Sequence, residues 1–598
     1  MSVSSQKRSE EFLKISGQFK LGVLITEGSH PVTANLSEVA ARDIAAALKL
    51  LFDVDDDVVC KYREFVRSGR VEEIKDAVVQ SLKNGGRIFF TGCGATGRLG
   101  ILLDSVWRDF WQQQGPAAAK EFEDRAFSVM AGGDYALIKS VEGFEDFPAF
   151  GRKQMRDLGV RAGDVVFAIT EGGETSFVIG TAWEGVDAGA KVYFVYNNPD
   201  EILCEHVERS REVIQDPRIA KINLTTGPMA IAGSTRMQAT SIQLCVMLTI
   251  LEMVVRELVA GAQNPVGGTR ALPGLFLAKL EELHASLKSP AVLDKLAKLV
   301  ALEESVYRRG RRSNYFADRY GIDVLTDTTE RSPTYCTPPF RKANDLTAAE
   351  SWAFLFLPQA ETPAAWRHLL KRDPRCVEWN ETEIREAVGK ERIAKTHESI
   401  RKISRSELMQ FKIGLDGLNL RSPGRGDGAI AIGSEDFCPV EVEAAQKAGA
   451  RTGIIHFCSR RLEEFPASKS TIGNPPSAIV RVPVPESDFL LDGVTRVAVK
   501  LVMNALSTCT MVRLGRVMGN FMVWVVPSNL KLIDRATRYI AQLGGLTYET
   551  ANRLLFEVLE YVEPRMKSDQ AYPPVVGLAV LRARHHLTNE AAERKLMP

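Results

Sequence analysis

Three times in the first two hundred residues, an apolar run of strand length ends in a turn and opens onto a helical pattern. RIFFT at 87–91 leads into GCGATGRLG, DVVFAIT at 164–170 leads into EGGETSFVIGTAWEGVDAGA, and KVYFVYNNP begins at Lys191. Apolar strands alternating with helices are the pattern of a parallel sheet covered by helices. That arrangement sets the glycine turns at the carboxyl ends of the strands, where such sheets bind ligands.

The pattern returns downstream. GIDVLTDTTERSPTY from Gly321 follows RRSNYFADRY, and GDGAIAIGSEDFCPVEVEAAQKAGARTGIIHFC from Gly426 reads as strand, loop, helix and strand. With 598 residues, the chain is about twice the size at which one hydrophobic core stops growing. The expected fold class is therefore α/β, with two tandem parallel-sheet units, helices on both faces of each, and a helical C-terminal region. The expected boundaries are an N-terminal helical arm at 1–50, a first unit at 51–262, a linker and helix at 263–300, a second unit at 301–535 and C-terminal helices at 536–598. The Pro and Gly of GAQNPVGGTRALPG, at 261–274, mark the linker. Thr588 or Asn589 is a candidate cap for a short last helix.

Composition excludes several classes. Lys plus Arg total 76 against 75 Asp plus Glu, a net charge of +1 that supplies no global field for nucleic acid or an anionic membrane. The basic runs RRGRRS at 308–313 and KRDPR at 371–375 are short and surrounded by acids, so they read as solvated faces. TSIQLCVMLTILEMVV, Thr240 to Val255, is interrupted by Gln243 and Glu252 and is short of a bilayer span, which makes it a buried helix. The start, MSVSSQKRSEEFLK, lacks a secretory apolar segment and reads as a polar arm. Nine scattered cysteines without a CxxC pair suit a reducing compartment, so a cytoplasmic location is expected. The histidines show no zinc-helix spacing, and neither a metal nor a cofactor is expected. His30 fits loop packing as well as ligand contact.

Gly92, Gly94 and Gly97 of GCGATG permit a tight turn and turn backbone N–H groups toward an anion at the next helix start. By themselves they fit a dinucleotide loop, a phosphosugar loop or a packing turn. A dinucleotide site wants an acid about twenty residues on, and Glu121 and Glu123 lie instead in a charged run. A further segment, TTGPMAIAGSTRMQATS at 225–241, sets Gly233, Ser234 and Thr235 before an apolar helix, where they are suited to an anion. The alternative is a plain helix cap, with Arg236 an ordinary surface charge. Two acidic stretches complete the set, VEGFED at 141–146 and TDTTERSPTY at 326–335.

These segments, with ITEGSHPVTANLSEV from Ile25 and LVMNALSTCTMVRLGRVMGNFMVWVVPSNLKLIDRA at 501–536, resemble the sugar isomerase type phosphosugar-binding domains. They are most similar to the N-acetylmuramic acid 6-phosphate etherases and the glucokinase regulatory proteins. The two-domain length resembles the regulatory proteins more than the shorter etherases, which pair two identical chains. The resemblance implies that Glu145 is the base that takes the proton beside the carbonyl of a ring-opened sugar. Where etherases carry the acid that protonates the departing lactyl oxygen, this chain has Val106, which has no proton to donate. DTTERSPTY matches the etherase sequence around that acid, so Glu330 of the second unit is expected to replace it in a site shared with Glu145. The implied sugar-phosphate contacts are Gly94, Thr96, Gly97, Thr170, Glu171, Gly172, Glu174, Thr175, Ser234, Thr235 and Lys531. Gly172 and Glu174 stand where etherases carry serine and arginine, and Gln238 where relatives carry lysine. The expected function is lactyl ether cleavage of N-acetylmuramic acid 6-phosphate or a related sugar phosphate. The alternatives are a sugar-phosphate-responsive regulator of a sugar kinase and an aldose-ketose isomerase.

Overall fold

The computed structural model describes residues 3–19, 21–141, 143–260, 269–388, 393–459, 476–527, 530–566 and 573–596. The first sheet holds β1 (Ile88–Gly92), β2 (Ala126–Met130), β3 (Val165–Ile169), β4 (Lys191–Tyr196) and β5 (Ile219–Asn223), in the order β2-β1-β3-β4-β5. All its pairings are parallel. Each residue of β1 and β3 is buried, as helices on both faces require. The sequence pattern showed β1, β3 and β4; it did not show β2, a five-residue strand after a charged run, or the half-polar edge strand β5.

The second sheet holds β6 (Ser313–Ala317), β7 (Ala353–Phe356), β8 (Gly428–Ser434), β9 (Arg451–Cys458) and β10 (Ala478–Pro483). Taken from its β7 edge, its order is β7-β6-β8-β9-β10, which repeats the first sheet strand for strand. The chain is thus two α/β units on one plan. In each sheet the order reverses beside the first strand, which opens a crevice between the loops after β1 and β3, and after β6 and β8. In the second crevice the loops after β6 and β8 are tied to each other. Asp318 accepts hydrogen bonds from the Ser434 amide and hydroxyl, both at 2.8 Å, and a Cβ on Gly433 would meet its carboxylate at 2.6 Å.

The units meet through long buried helices, Gln238–Ala260 from the first and Gly321–Tyr335 and Gly493–Arg513 from the second. The polar residues interrupting Thr240 to Val255 are bonded inside the protein, although the buried Gln243 Oε1 has no partner among the described residues. Gln243 donates to Asn197 at 2.6 Å, and Glu252 accepts the amides of Leu490 and Leu491 at 2.9 Å each. No described helix is long and apolar enough to cross a membrane. Most of the proposed linker, residues 261–268, lies outside the described residues; a helix resumes at Leu272–Leu287.

One reading of surface charge is corrected. KRDPR is not a solvated face: the Arg372 side chain is only 6% exposed, bonding Asp104 at 3.0 Å, Asp134 at 2.6 Å and Ser128 at 2.9 Å, all in the first unit. A guanidinium leaves water here because two buried carboxylates replace its hydration. The N-terminal helical arm packs on the C-terminal region. It forms the helix Val3–Ile15, pairing Arg8 with Glu563 at 2.6 Å and Ser9 with Asn552 at 2.6 Å on the C-terminal helices. These include Leu530–Gly544, Tyr548–Val562, Val575–His585 and Asn589–Leu596, the last with its Ala591 amide bonded to the Thr588 hydroxyl at 3.3 Å.

Candidate functional site

The crevice between the loops after β1 and β3 gathers most of the residues singled out in the sequence. Gly92 is held to glycine by contact, since a Cβ would lie 2.5 Å from the Thr96 carbonyl carbon. Gly94 begins the helix Gly94–Gln113 at φ +53, and the space beside it is open. The start of the helix leaves its first amides, at Gly94 and Ala95, without intrahelical acceptors, an arrangement suited to an anion. Thr96 is committed elsewhere: its hydroxyl accepts from the Cys93 amide at 3.1 Å and donates to the Cys93 carbonyl at 2.9 Å. It shapes the loop. Gly97 packs tightly against Met130.

On the facing loop, Thr170 and Thr175 share a hydrogen bond at 3.0 Å, and the Gly172 carbonyl accepts from Asn198 at 3.0 Å. Glu174 is buried and held by two cations, Lys531 of the helix Leu530–Gly544 and Arg209. Burial pushes its carboxyl up, but the two cations prevail and bring it down to about 2. Lys531 is therefore engaged by Glu174, with Glu145 a further 3.9 Å contact. Glu171 has a different environment. It is 8% exposed, its Oε1 accepts from the Thr240 hydroxyl at 3.2 Å, and no described cation is paired with it. Burial, with the charges of Glu330 and Glu145, pushes its carboxyl up to about 7.

The segment before the helix Gln238–Ala260 combines scaffold with open groups. Gly233, at φ +69, is pressed by the Tyr539 hydroxyl, 2.6 Å from where a Cβ would stand. The hydroxyls of Ser234 and Thr235 have no hydrogen-bond partner among the described residues, and only Ser234 is fully buried. Arg236 is not a surface charge: it is 3% exposed, donates to Ser507 at 2.7 Å and lies 3.5 Å from Asp327. Gln238, in place of a lysine, is spent on Asp55 at 2.7 Å and the Ala230 amide at 2.9 Å. His30 is structural, its ring accepting from the Val32 amide at 3.2 Å and lying 3.0 Å from Asp57.

Glu145 stands at the mouth of the crevice, its carbonyl tied to the Phe177 amide at 3.0 Å. Its side chain is 54% open to solvent, yet the packed walls around it desolvate the carboxyl and raise it; Lys531 opposes the shift and Glu174 adds to it. Glu330 lies inside the helix Gly321–Tyr335 and neither caps it nor points freely to solvent. Its side chain is 13% exposed and is bound by Nη1 of Arg98, from the first glycine loop's helix. Arg98 is 1% exposed and also donates to the Leu137 carbonyl at 3.0 Å and Thr329 at 3.1 Å. The second unit thus reaches the first crevice, and both Glu330 and Glu145 act electrostatically on Glu171. Val106 is buried one turn further along the helix from Leu102, in an apolar wall.

Sequence reasoning missed Arg98, although it lies inside the quoted GCGATGRLG. It also missed Arg209, and Glu27 with its partner Arg535 at the mouth, where burial raises and two arginines lower the Glu27 carboxyl to about 2. Each is defined by a partner distant in the chain. Among the described residues, no group of three or more potential metal ligands converges.

Residues 70–183 match the family model described as the glucokinase regulatory protein N-terminal SIS domain. The chain is 31% identical over 221 residues to N-acetylmuramic acid 6-phosphate etherase 1 of Bacillus licheniformis, covering 37% of this chain and 65% of that one, just under two thirds of the relative. It is 31% identical over 247 residues to the N-acetylmuramic acid 6-phosphate etherase of Yersinia pestis, covering 41% of this chain and 73% of the relative. Among solved structures, the C-terminal domain of glucosamine-fructose-6-phosphate aminotransferase from Francisella tularensis aligns at a TM-score of 0.41 and 11% identity over 78% of this chain and 96% of that chain. At that score the fold assignment rests on the two sheets themselves. The shared segments include both glycine loops of the crevice, and the chain belongs to the sugar isomerase (SIS) domain family that includes the N-acetylmuramic acid 6-phosphate etherases.

Proposed function

We propose that this protein binds a phosphorylated amino sugar in the first crevice and cleaves a lactyl ether from it by elimination and hydration, with N-acetylmuramic acid 6-phosphate as the substrate to test first. What supports this reading is that Glu330 of the second unit is bound by Arg98 of the first glycine loop's helix and, with Glu145, acts electrostatically on Glu171. Glu145 and Glu171 come from the first unit, and Glu330, held by Arg98, comes from the second. Elimination needs a proton taken beside the carbonyl and a proton given to a poor leaving group. Glu145, raised yet open to the crevice mouth, is the base. The phosphate is received by the free amides at Gly94 and Ala95 and the hydroxyls of Ser234 and Thr235, with Lys531 near. Glu330 is the second carboxyl of the shared site; to serve as proton donor, it must first carry a proton in the grip of a buried guanidinium.

A second reading has its own support. Val106 is buried where the etherases carry an acid, and the matching family model is that of a regulatory protein. In that reading the sugar phosphate alters how the two units pack, and a sugar kinase is the partner. Enzymatic detection of D-lactate after mixing the purified protein with N-acetylmuramic acid 6-phosphate separates the two. Lactate release supports the etherase; saturable binding by calorimetry without lactate supports the regulator.

A further inference from the structure

The etherase reading leaves a chemical gap, namely which carboxyl holds a proton when the ether breaks. Glu174 is fixed as a carboxylate by Lys531 and Arg209. Glu330 is bound by Arg98, and a carboxylate paired with a buried guanidinium gives up a strong charge-assisted bond if protonated. Glu145 is engaged as base. Glu171 remains: buried on the loop after β3, with no cation paired to it among the described residues and with one oxygen accepting from the Thr240 hydroxyl.

We propose that Glu171 is the proton donor to the departing oxygen, and that Glu330, fixed by Arg98, is a positioning residue whose negative charge keeps the proton on Glu171. This rests on the etherase reading. In the elimination, Glu145 takes the proton beside the carbonyl, and that electron pair forms a carbon–carbon double bond. The bond from the next carbon to the ether oxygen breaks, and the oxygen takes the Glu171 proton as lactate leaves. Water then adds to the same carbon, returning a proton to the Glu171 carboxylate, while Glu145 returns its own to the carbon beside the carbonyl. Both carboxyls are restored and no oxidant or reductant is consumed.

The groups facing Glu171 agree with this role. Glu330 from the helix Gly321–Tyr335 and Glu145 from the loop before the helix Pro148–Asp157 both act electrostatically on it. Cys93 at the first glycine loop is held as a neutral thiol by burial and by the acids around it, Glu145 and Glu171 among them. Thr240 faces it from the helix Gln238–Ala260, and Glu174, on its own loop, is already neutralised. A buried carboxyl with no described cation of its own, acted on by neighbouring acids, is pushed to retain its proton near neutrality.

The test uses the full chain and N-acetylmuramic acid 6-phosphate, with D-lactate release measured from pH 5.5 to 9 for wild type, Glu171→Gln and Glu330→Gln, and binding followed by calorimetry. Glutamine can keep the Thr240 bond, so E171Q is expected to fold. It should lose turnover by about 100-fold or more while the dissociation constant stays within about threefold. Wild-type rate should fall as pH rises through the Glu171 pKa. E330Q removes a neighbouring charge, so that alkaline limb should move to lower pH by roughly one unit. Lactate from wild type with undiminished turnover in E171Q overturns the inference alone, as does an E330Q variant inactive at every pH. No lactate from wild type overturns the etherase reading and this inference with it.

Discussion

Arg98, in the first glycine loop's helix, donates to Glu330 in the second unit, 232 residues away, and so ties the two halves together at the crevice. The pair is almost fully removed from water. Removing one member leaves the other charged and unpaired in the interior. R98M is therefore expected to destabilise the protein by about 3 kcal/mol, read from urea unfolding. E330Q with R98M should cost less than the sum of the two single changes, because the pair is counted once. Additive losses would mean that the two side chains are not coupled.

Glu174 occupies Lys531 and Arg209 with a carboxylate, beside the loop expected to receive a phosphate. Replacing it with serine frees both cations. E174S is expected to bind N-acetylmuramic acid 6-phosphate about tenfold more tightly, a gain of roughly 1.4 kcal/mol, with a steeper dependence on salt. Unchanged or weaker binding in calorimetry would place the phosphate away from Lys531.

Arg372 locks the second unit onto Asp104 and Asp134 of the first. Burial pushes the Asp104 carboxyl up, but Arg372, Arg108 and Arg375 prevail and hold it well below its ordinary 3.8. A carboxyl lowered by folding stabilises the folded state fully above its unfolded value, and that stabilisation fades as pH falls toward the folded value. R372Q should cost about 3 kcal/mol at pH 7, and the gap from wild type should narrow below about pH 4. A gap independent of pH in denaturant titrations would assign the loss to packing instead.

Gly92 and Gly94 should respond differently to alanine. A Cβ at Gly92 meets backbone at 2.5 Å, whereas Gly94 faces open space and only its φ of +53 is unfavourable. G94A is expected to lower stability by about 1 kcal/mol with the loop kept, while G92A must displace the loop and should weaken sugar-phosphate binding at least about tenfold. Equal binding by both variants in calorimetry would show that the loop does not touch the ligand.

Local pattern accounts for the scaffold. Apolar runs such as VVFAI and the glycines after them carry their meaning within a few residues, because strand burial and a steric need for glycine are properties of the immediate backbone. The two-unit plan, the buried helix through Cys245 and the crevice loops were legible on that basis. The edge strand β5 was not, since a strand only half buried imposes little apolar pattern.

By itself, then, the sequence determined the two-unit α/β plan and the loops that flank the crevice, without the strands β2 and β5. The tertiary structure decided what each charge does there. Arg98 and Arg372 became ties between the units, Lys531 met Glu174 across 357 residues, and Glu171 was left without a cation among the described residues. The physical reason is that a side chain's charge state follows from desolvation and from partners within a few ångströms, and segments far apart in the chain supply those partners.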